Sequence, residues 1–261
     1  MAIDILARYG IKEVADVTFY KINPDETPGA PVLYLDTLKV STIEQTAENT
    51  SARGGKGNPE LIMWDYGKEI TVTLEDALFS AKSMALMYGV DTENTTDNLD
   101  FSSVEHVLKT VRKVDVIDAT HFRINGQSAE VEDIVYYDAY NKEVEGAEGA
   151  APAEYVYATA KLKVAGQQIV ISSDKFPGTY YITGDTYARS EATGEDEFFQ
   201  FIIPKAKMQS EVTLTMEAEG DPSTFNMSLK VLRPSNGDMM KLVKYSLPEA
   251  AASEEPEETG L

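Results

Sequence analysis

The feature that most limits what this chain can fold into is a recurring unit. Short runs rich in β-branched and aromatic residues come back again and again, each closed by a turn signal. Val14–Ile22, Val32–Val40, Ile70–Leu74, Ile134–Tyr140, Tyr155–Val164, Ile169–Ser172, Tyr180–Thr183, Phe198–Ile203, Val212–Glu217 and Phe225–Leu232 are such runs. Several alternate with period two, as half-buried strands do. Asn23-Pro24-Asp25, Pro28-Gly29, Asn125-Gly126, Pro177-Gly178, Gly220-Asp221-Pro222 and Asn236-Gly237 punctuate them. Strands at this spacing predict a mainly β fold, a sandwich or barrel of antiparallel strands, and not alternating βαβ units. With 43% hydrophobic residues the chain has the apolar content to build a core.

One stretch follows a different period. In Leu74–Gly89 the apolar residues Leu74, Ala77, Leu78, Ala81, Met84, Ala85 and Tyr88 recur at i, i+3, i+4 and i+7. Thr73 and Asp76 resemble a capping box, and Gly89 suits the position just past a helix end. The expectation is one flanking α-helix near 74–88, about four turns long. Ser102–Lys113 carries helical spacing and β-branched residues together, so both readings stay open. The region 90–149 is less regular. It opens on the polar run Asp91–Asp100 and closes on the Gly/Ala/Glu stretch Glu143–Pro152. The expected division is a β-rich core formed by 1–89 and 150–246, an insertion or added subdomain at 90–149, and an acidic tail at 247–261. That tail has five Glu and no Lys or Arg, too little apolar surface to offset its ordering entropy.

The formal net charge is −21. This excludes tight nucleic-acid binding through a basic surface. Without the tail glutamates −16 remains on the body, so the tail explains a minority of the excess. Cysteine is absent, which removes disulfides, thiolate metal sites and cysteine nucleophiles together. No apolar run approaches the ~20 residues that cross a bilayer, and no secretory segment is apparent, so a soluble protein without membrane contact is expected.

The search for catalytic chemistry returns little. His106 and His121 have neither metal-ligand nor nucleophile-pair spacing. Arg53-Gly54-Gly55-Lys56-Gly57 fails the phosphate-loop pattern, because Thr50 stands where the first Gly belongs and Gly57 follows the lysine. Asp91–Asp100 fails the calcium-loop pattern, with Thr96 and Ser102 at the Gly and Glu places. Neither a catalytic residue nor a cofactor or metal site is assigned, and a non-enzyme is expected. Trp64, in Leu61–Gly67, reads as a core or subunit-interface residue.

Three stretches, Thr46–Gly89, Gly184–Met208 and Val212–Tyr245, together resemble virion structural proteins of tailed bacteriophages, specifically the tail tube proteins of long-tailed phages. The resemblance implies a β-sandwich or barrel with a flanking helix. It also implies hexameric rings that stack into a hollow, electronegative conduit for double-stranded DNA in the virion tail. Homo-oligomerisation, contact with sheath or baseplate, tape-measure and terminator proteins, and non-adhesive passage of DNA follow from it. Ser51–Pro59 would be a mobile loop that orders against a neighbouring subunit or ring, and Arg53, Gly54, Gly55, Lys56 and Trp64 become subunit-interface candidates. Simple tube subunits are shorter than this chain, so a baseplate, tail-terminator or capsid-decoration role is kept as an alternative. An acidic β-fold carbohydrate-active enzyme, which needs two convergent carboxylates in a cleft, is a third.

Overall fold

The computed structural model describes residues 8–78, 80–90, 102–145, 151–211 and 224–245. The chain divides into two compact units, Met1–Thr92 with Ile171–Leu261, and Glu93–Val170. It passes through β1 (Tyr9–Ile11), β2 (Asp16–Ile22), β3 (Pro28–Leu35), β4 (Leu38–Arg53), β5 (Glu60–Asp76) and α1 (Ala81–Met87) of the first unit. The second unit holds β6 (Ser102–Arg112), β7 (Val116–Asp118), β8 (His121–Ile124), β9 (Gln127–Tyr137) and β10 (Tyr157–Gln168). The first unit resumes with β11 (Thr179–Ser190), β12 (Asp196–Met208), β13 (Phe225–Val231) and β14 (Lys241–Tyr245). Among the described residues the fold is mainly antiparallel β with one α-helix, as the strand runs predict.

The strand order of the first unit is β3-β2-β11-β12-β13-β5-β4, with β1 beside β11 and β14 beside β12. β3 and β4 stand at opposite ends of this order, yet only Asp36 and Thr37 join them. Laid flat, seven strands about 4.8 Å apart would separate the two ends by about 29 Å. Three residue steps from Leu35 to Leu38 span at most about 11 Å. The sheet therefore curls until its ends meet at this corner. Thr37 Oγ1 donates to Asp76 Oδ1 at 2.5 Å, and the Thr37 carbonyl accepts from the Ala77 N–H at 3.1 Å. Asp76 Oδ1 also accepts from the Leu78 N–H at 3.2 Å. Nearby, the Ala15 N–H reaches Ser41 Oγ on β4 at 3.4 Å.

The curl encloses one apolar core. Val17 and Phe19 of β2, Val72 and Leu74 of β5, Ile182 of β11, Ile203 of β12 and Leu229 of β13 are fully buried in it. Phe201 lies across its β11 neighbour Gly184, where an added Cβ would stand 2.0 Å from the ring. Leu86 and Met87 bring α1 against the same core.

The helix is shorter than its periodicity predicts. Leu74–Asp76 finish β5, held by pairing to β4 on one side and β13 on the other. The capping box belongs to Ser80 and Ser83, not Thr73 and Asp76: Ser80 Oγ accepts from the Ser83 N–H at 3.0 Å, and Ser83 Oγ from the Ser80 N–H at 2.9 Å. Gly89 follows the helix with φ of +70°, the left-handed conformation expected there. The run Val32–Val40 breaks at Asp36–Thr37 into two strands at opposite ends of the sheet, and Ile169–Ser172 is irregular. The strand expected at Val212–Glu217, the Gly220–Pro222 turn, the polar run Asp91–Asp100 and the acidic tail lie outside the described residues.

The second unit orders its strands β6-β10-β9-β8-β7 over a small core of Val111, Phe122, Val131, Tyr155, Ala158 and Ala160. The ambiguous segment Ser102–Lys113 is strand for nearly its whole length, paired with β10. β10 pairs with β6 and β9, which ties Tyr157–Gln168 to this unit although the expected division put 150–246 with the core. Asn125 and Gly126 both take positive φ, +48° and +82°, between β8 and β9. This is the two-residue hairpin turn that an Asn-Gly pair favours.

Two consequences can be measured by denaturant unfolding. Asp76→Ala strips the corner of its buried acceptor and should lower stability by about 1–3 kcal/mol, whereas Asp76→Asn, which keeps an acceptor, should cost clearly less. Gly184→Ala should cost about 1–3 kcal/mol through overpacking against Phe201. Part of that loss should return when Phe201→Leu is added to the same variant.

Candidate functional site

A long apolar stretch of the described surface lies beyond the core of the first unit. β5 pairs with β13 only from Thr71 to Asp76, and Ile70, Val72 and Leu74 face the core. Beyond this, from Gln45↔Ile70 out to Arg53↔Glu60, β4 and β5 pair with each other alone among the described residues. The result is a two-stranded arm about 30 Å long, from the nine β4 residues Gln45–Arg53 at ~3.3 Å each. Every residue from Leu61 to Glu69 is exposed. Among the described residues, neither edge of the arm has a further strand partner.

The residues explain why the ribbon forms. Cross-strand pairs Thr50↔Trp64, Ala52↔Ile62 and Glu48↔Tyr66 set β-branched and aromatic side chains against small or polar partners. The tip, Gly54–Pro59, closes with the Gly54 N–H on the Pro59 carbonyl and the Asn58 N–H on the Gly55 carbonyl, both at 3.2 Å. Gly55 and Gly57 adopt φ of +84° and +88°, which suits glycine. Arg53 and Glu60 form an ion pair across the last rung, and Ser51 Oγ donates to the same carboxylate at 3.3 Å. At the base, Lys230 Nζ of β13 meets Glu69 Oε1 at 2.7 Å.

The five residues singled out from sequence all fall on the outer part of this arm. Arg53 ends β4, Gly54, Gly55 and Lys56 form the tip, and Trp64 lies in β5 with 52% of its surface exposed. Trp64 is therefore not a core residue of its own chain. The local positive charge expected for the tip is half offset, since Glu60 neutralises Arg53. Sequence reasoning missed Leu61, Ile62, Met63 and Tyr66, each more than half exposed. Their signal was legible as the unbroken apolar run Leu61–Trp64. Such a run ordinarily marks a strand buried on both faces, but here none of the described residues covers it.

Elsewhere, carboxylates are engaged in structure. A surface concavity of about 340 Å³ is lined by Gly10, Lys12, Glu13, Tyr187, Arg189 and Asp196. Its Asp196 is gripped by the Arg189 guanidinium through two 2.7 Å contacts, which hold its pKa below the usual carboxylate range. A second concavity, in the second unit, includes Asp138, whose Oδ1 accepts the N–H groups of Tyr140 and Lys142 to form a turn. His106 lies 3.1 Å from Glu132, and His121 3.1 Å from Asp118. Among the described residues no three His, Asp or Glu side chains cluster as metal ligands. No described helix is long and apolar enough to cross a membrane. On the outward side of β2, β3 and β11, Asp16, Asp36 and Asp185 surround Tyr34. Its phenol is held above the ordinary tyrosine range by the Asp16 charge first, then by burial and the remaining carboxylates.

The tail tube protein of Bacillus phage SPR is 23% identical to this chain over 247 residues, covering 89% of this chain and 87% of that protein. The sequence pattern of the YomU/Tube protein family matches residues 9–244, which takes in the curled sheet, the arm and the second unit. The chain belongs to the YomU/Tube protein family.

Proposed function

We propose that this protein is a structural subunit of a phage tail tube, which assembles with copies of itself into stacked hexameric rings around a channel for double-stranded DNA. The observation that carries the reading is the arm. Leu61, Ile62, Met63, Trp64 and Tyr66 are more than half exposed on a ribbon whose two edges have no further strand partner among the described residues. An isolated chain with such a patch carries an aggregation hazard, and natural proteins keep one where a partner covers it. Heterologous contact between copies closes into rings by rotation, which suits a projecting arm that reaches a neighbour.

Charge supports the same reading. A body this acidic repels phosphate, so DNA passing a wall made of many copies would not adhere. The second unit is then an addition to the tube-forming unit. The role is architectural and not catalytic, the location is the virion tail, and the further partners are sheath or baseplate, tape-measure and terminator proteins. The tip, with Lys56 forming no ion pair among the described residues, would meet an acidic face of the next ring.

Negative-stain electron microscopy of the purified full chain at high concentration tests this. Hollow tubes or six-fold rings are expected, and a strict monomer at every concentration would reject the reading. Arg53→Glu with Lys56→Glu makes the tip acidic and should leave rings unstacked. Normal tubes from that double variant would remove the tip from the contact.

A further inference from the structure

Resting on the reading of a self-assembling subunit, a local irregularity in the arm selects the face that meets the neighbour. Glu69 pairs with Thr46, but the next pair outward is Tyr66↔Glu48. Gly67 and Lys68 thus stand opposite Ala47 alone, with Gly67 at φ +62°. This is a β-bulge with glycine in the left-handed conformation, and one extra residue reverses the alternation of the side chains from Tyr66 out to Ile62, where a second register shift follows. Inside the bulge, Ile70, Val72 and Leu74 point to the core. By plain alternation the even-numbered Ile62, Trp64 and Tyr66 would continue on that side. With the bulge they share the opposite side with Ala52, Thr50 and Glu48. Leu61, Met63 and Asp65 fall on the core side of the ribbon.

We infer that a second copy of this chain docks on the strip formed by Ile62, Trp64 and Tyr66, and that the Gly67 bulge is the positioning device that presents this strip outward. Two observations favour a copy as occupant. Copies that each carry −21 meet at least electrostatic cost where charge is sparse, and on the face of these three side chains the neighbouring carboxylates are Glu48 and, one rung inward, Glu69, which Lys230 neutralises. Among the described residues neither edge of the arm has a strand partner, so a copy can add main-chain hydrogen bonds beside the strip. The choice of face follows from composition. Trp and Tyr are the side chains that most often anchor interfaces, whereas the other face mixes Leu61 and Met63 with Asp65, Asn49 and Ser51.

Trp64, the single tryptophan of the chain, reports directly on the strip. In the free chain, iodide should quench its fluorescence readily, and in assembled tubes the quenching constant should fall several-fold. Ile62→Ser with Tyr66→Ser should raise the concentration needed for assembly at least ten-fold and leave Trp64 quenchable. Leu61→Ser with Met63→Ser should change both by less than two-fold. Deletion of Gly67 should abolish assembly while the thermal midpoint of the monomer is kept, and Gly67→Asn, which tolerates positive φ, should assemble. If the deletion variant does not fold, the two face pairs decide the matter alone. Equal losses from the two faces, or assembly of the deletion variant with Trp64 protected, would overturn the inference. So would wild-type tubes whose Trp64 stays fully quenchable, which would give the strip to a different tail protein and leave the tube reading intact. A wild-type chain that never self-associates overturns both.

Discussion

The structure of the first unit depends on a two-residue link. Asp36 and Thr37 join strands from opposite ends of a seven-strand order, and a chain that short cannot cross a flat sheet. Closing the sheet is thereby a matter of connectivity before it is one of packing. The Thr37 hydroxyl and carbonyl fasten the corner to Asp76 and Ala77. Buried residues from β2, β3, β5, β11, β12 and β13 can then share one core. The short helix follows from the same corner. β5 must extend to Asp76 to reach Thr37, so only the residues after Ser80 are left to coil.

The arm is the complement of that closure. β4 and β5 are about three times as long as a typical strand of 5–6 residues. The core needs only their inner ends. What continues past Glu44 and Ile70 has no layer beneath it among the described residues, and its apolar residues Leu61–Trp64 and Tyr66 are exposed. The bulge at Gly67 then decides which of those residues share a face. A local backbone irregularity and an exposed apolar run together give an otherwise ordinary hairpin a direction.

How much of this was legible beforehand varies with how local each signal is. The Asn125-Gly126 turn and the left-handed Gly89 were readable because each depends on the φ preference of one or two residues. The five interface candidates were found by composition, from a Gly-rich, locally basic stretch and a lone tryptophan. Their grouping on one ribbon was not legible, because Gln45–Arg53 is polar and reads as loop until β5 is beside it. Arg53 looked like a free cation for the same reason: its partner Glu60 is seven residues away along the chain but directly across the hairpin.

The amino-acid order by itself determined the antiparallel β class, the want of cysteine chemistry and the acidic surface, since these follow from composition and period-two patterning. It also contained the unbroken Leu61–Trp64 run, each residue of which is more than half exposed. Only the tertiary structure decided that Val32–Val40 is two strands, that Leu74–Asp76 is strand and not helix, and that Tyr157–Gln168 joins β6 and β9. The physical reason is that periodicity is a property of neighbours in sequence, while register, bulges and sheet edges are settled between strands far apart in it. For Leu74, helical spacing and strand alternation were both available. Pairing with β4 and β13 on its two sides chose between them.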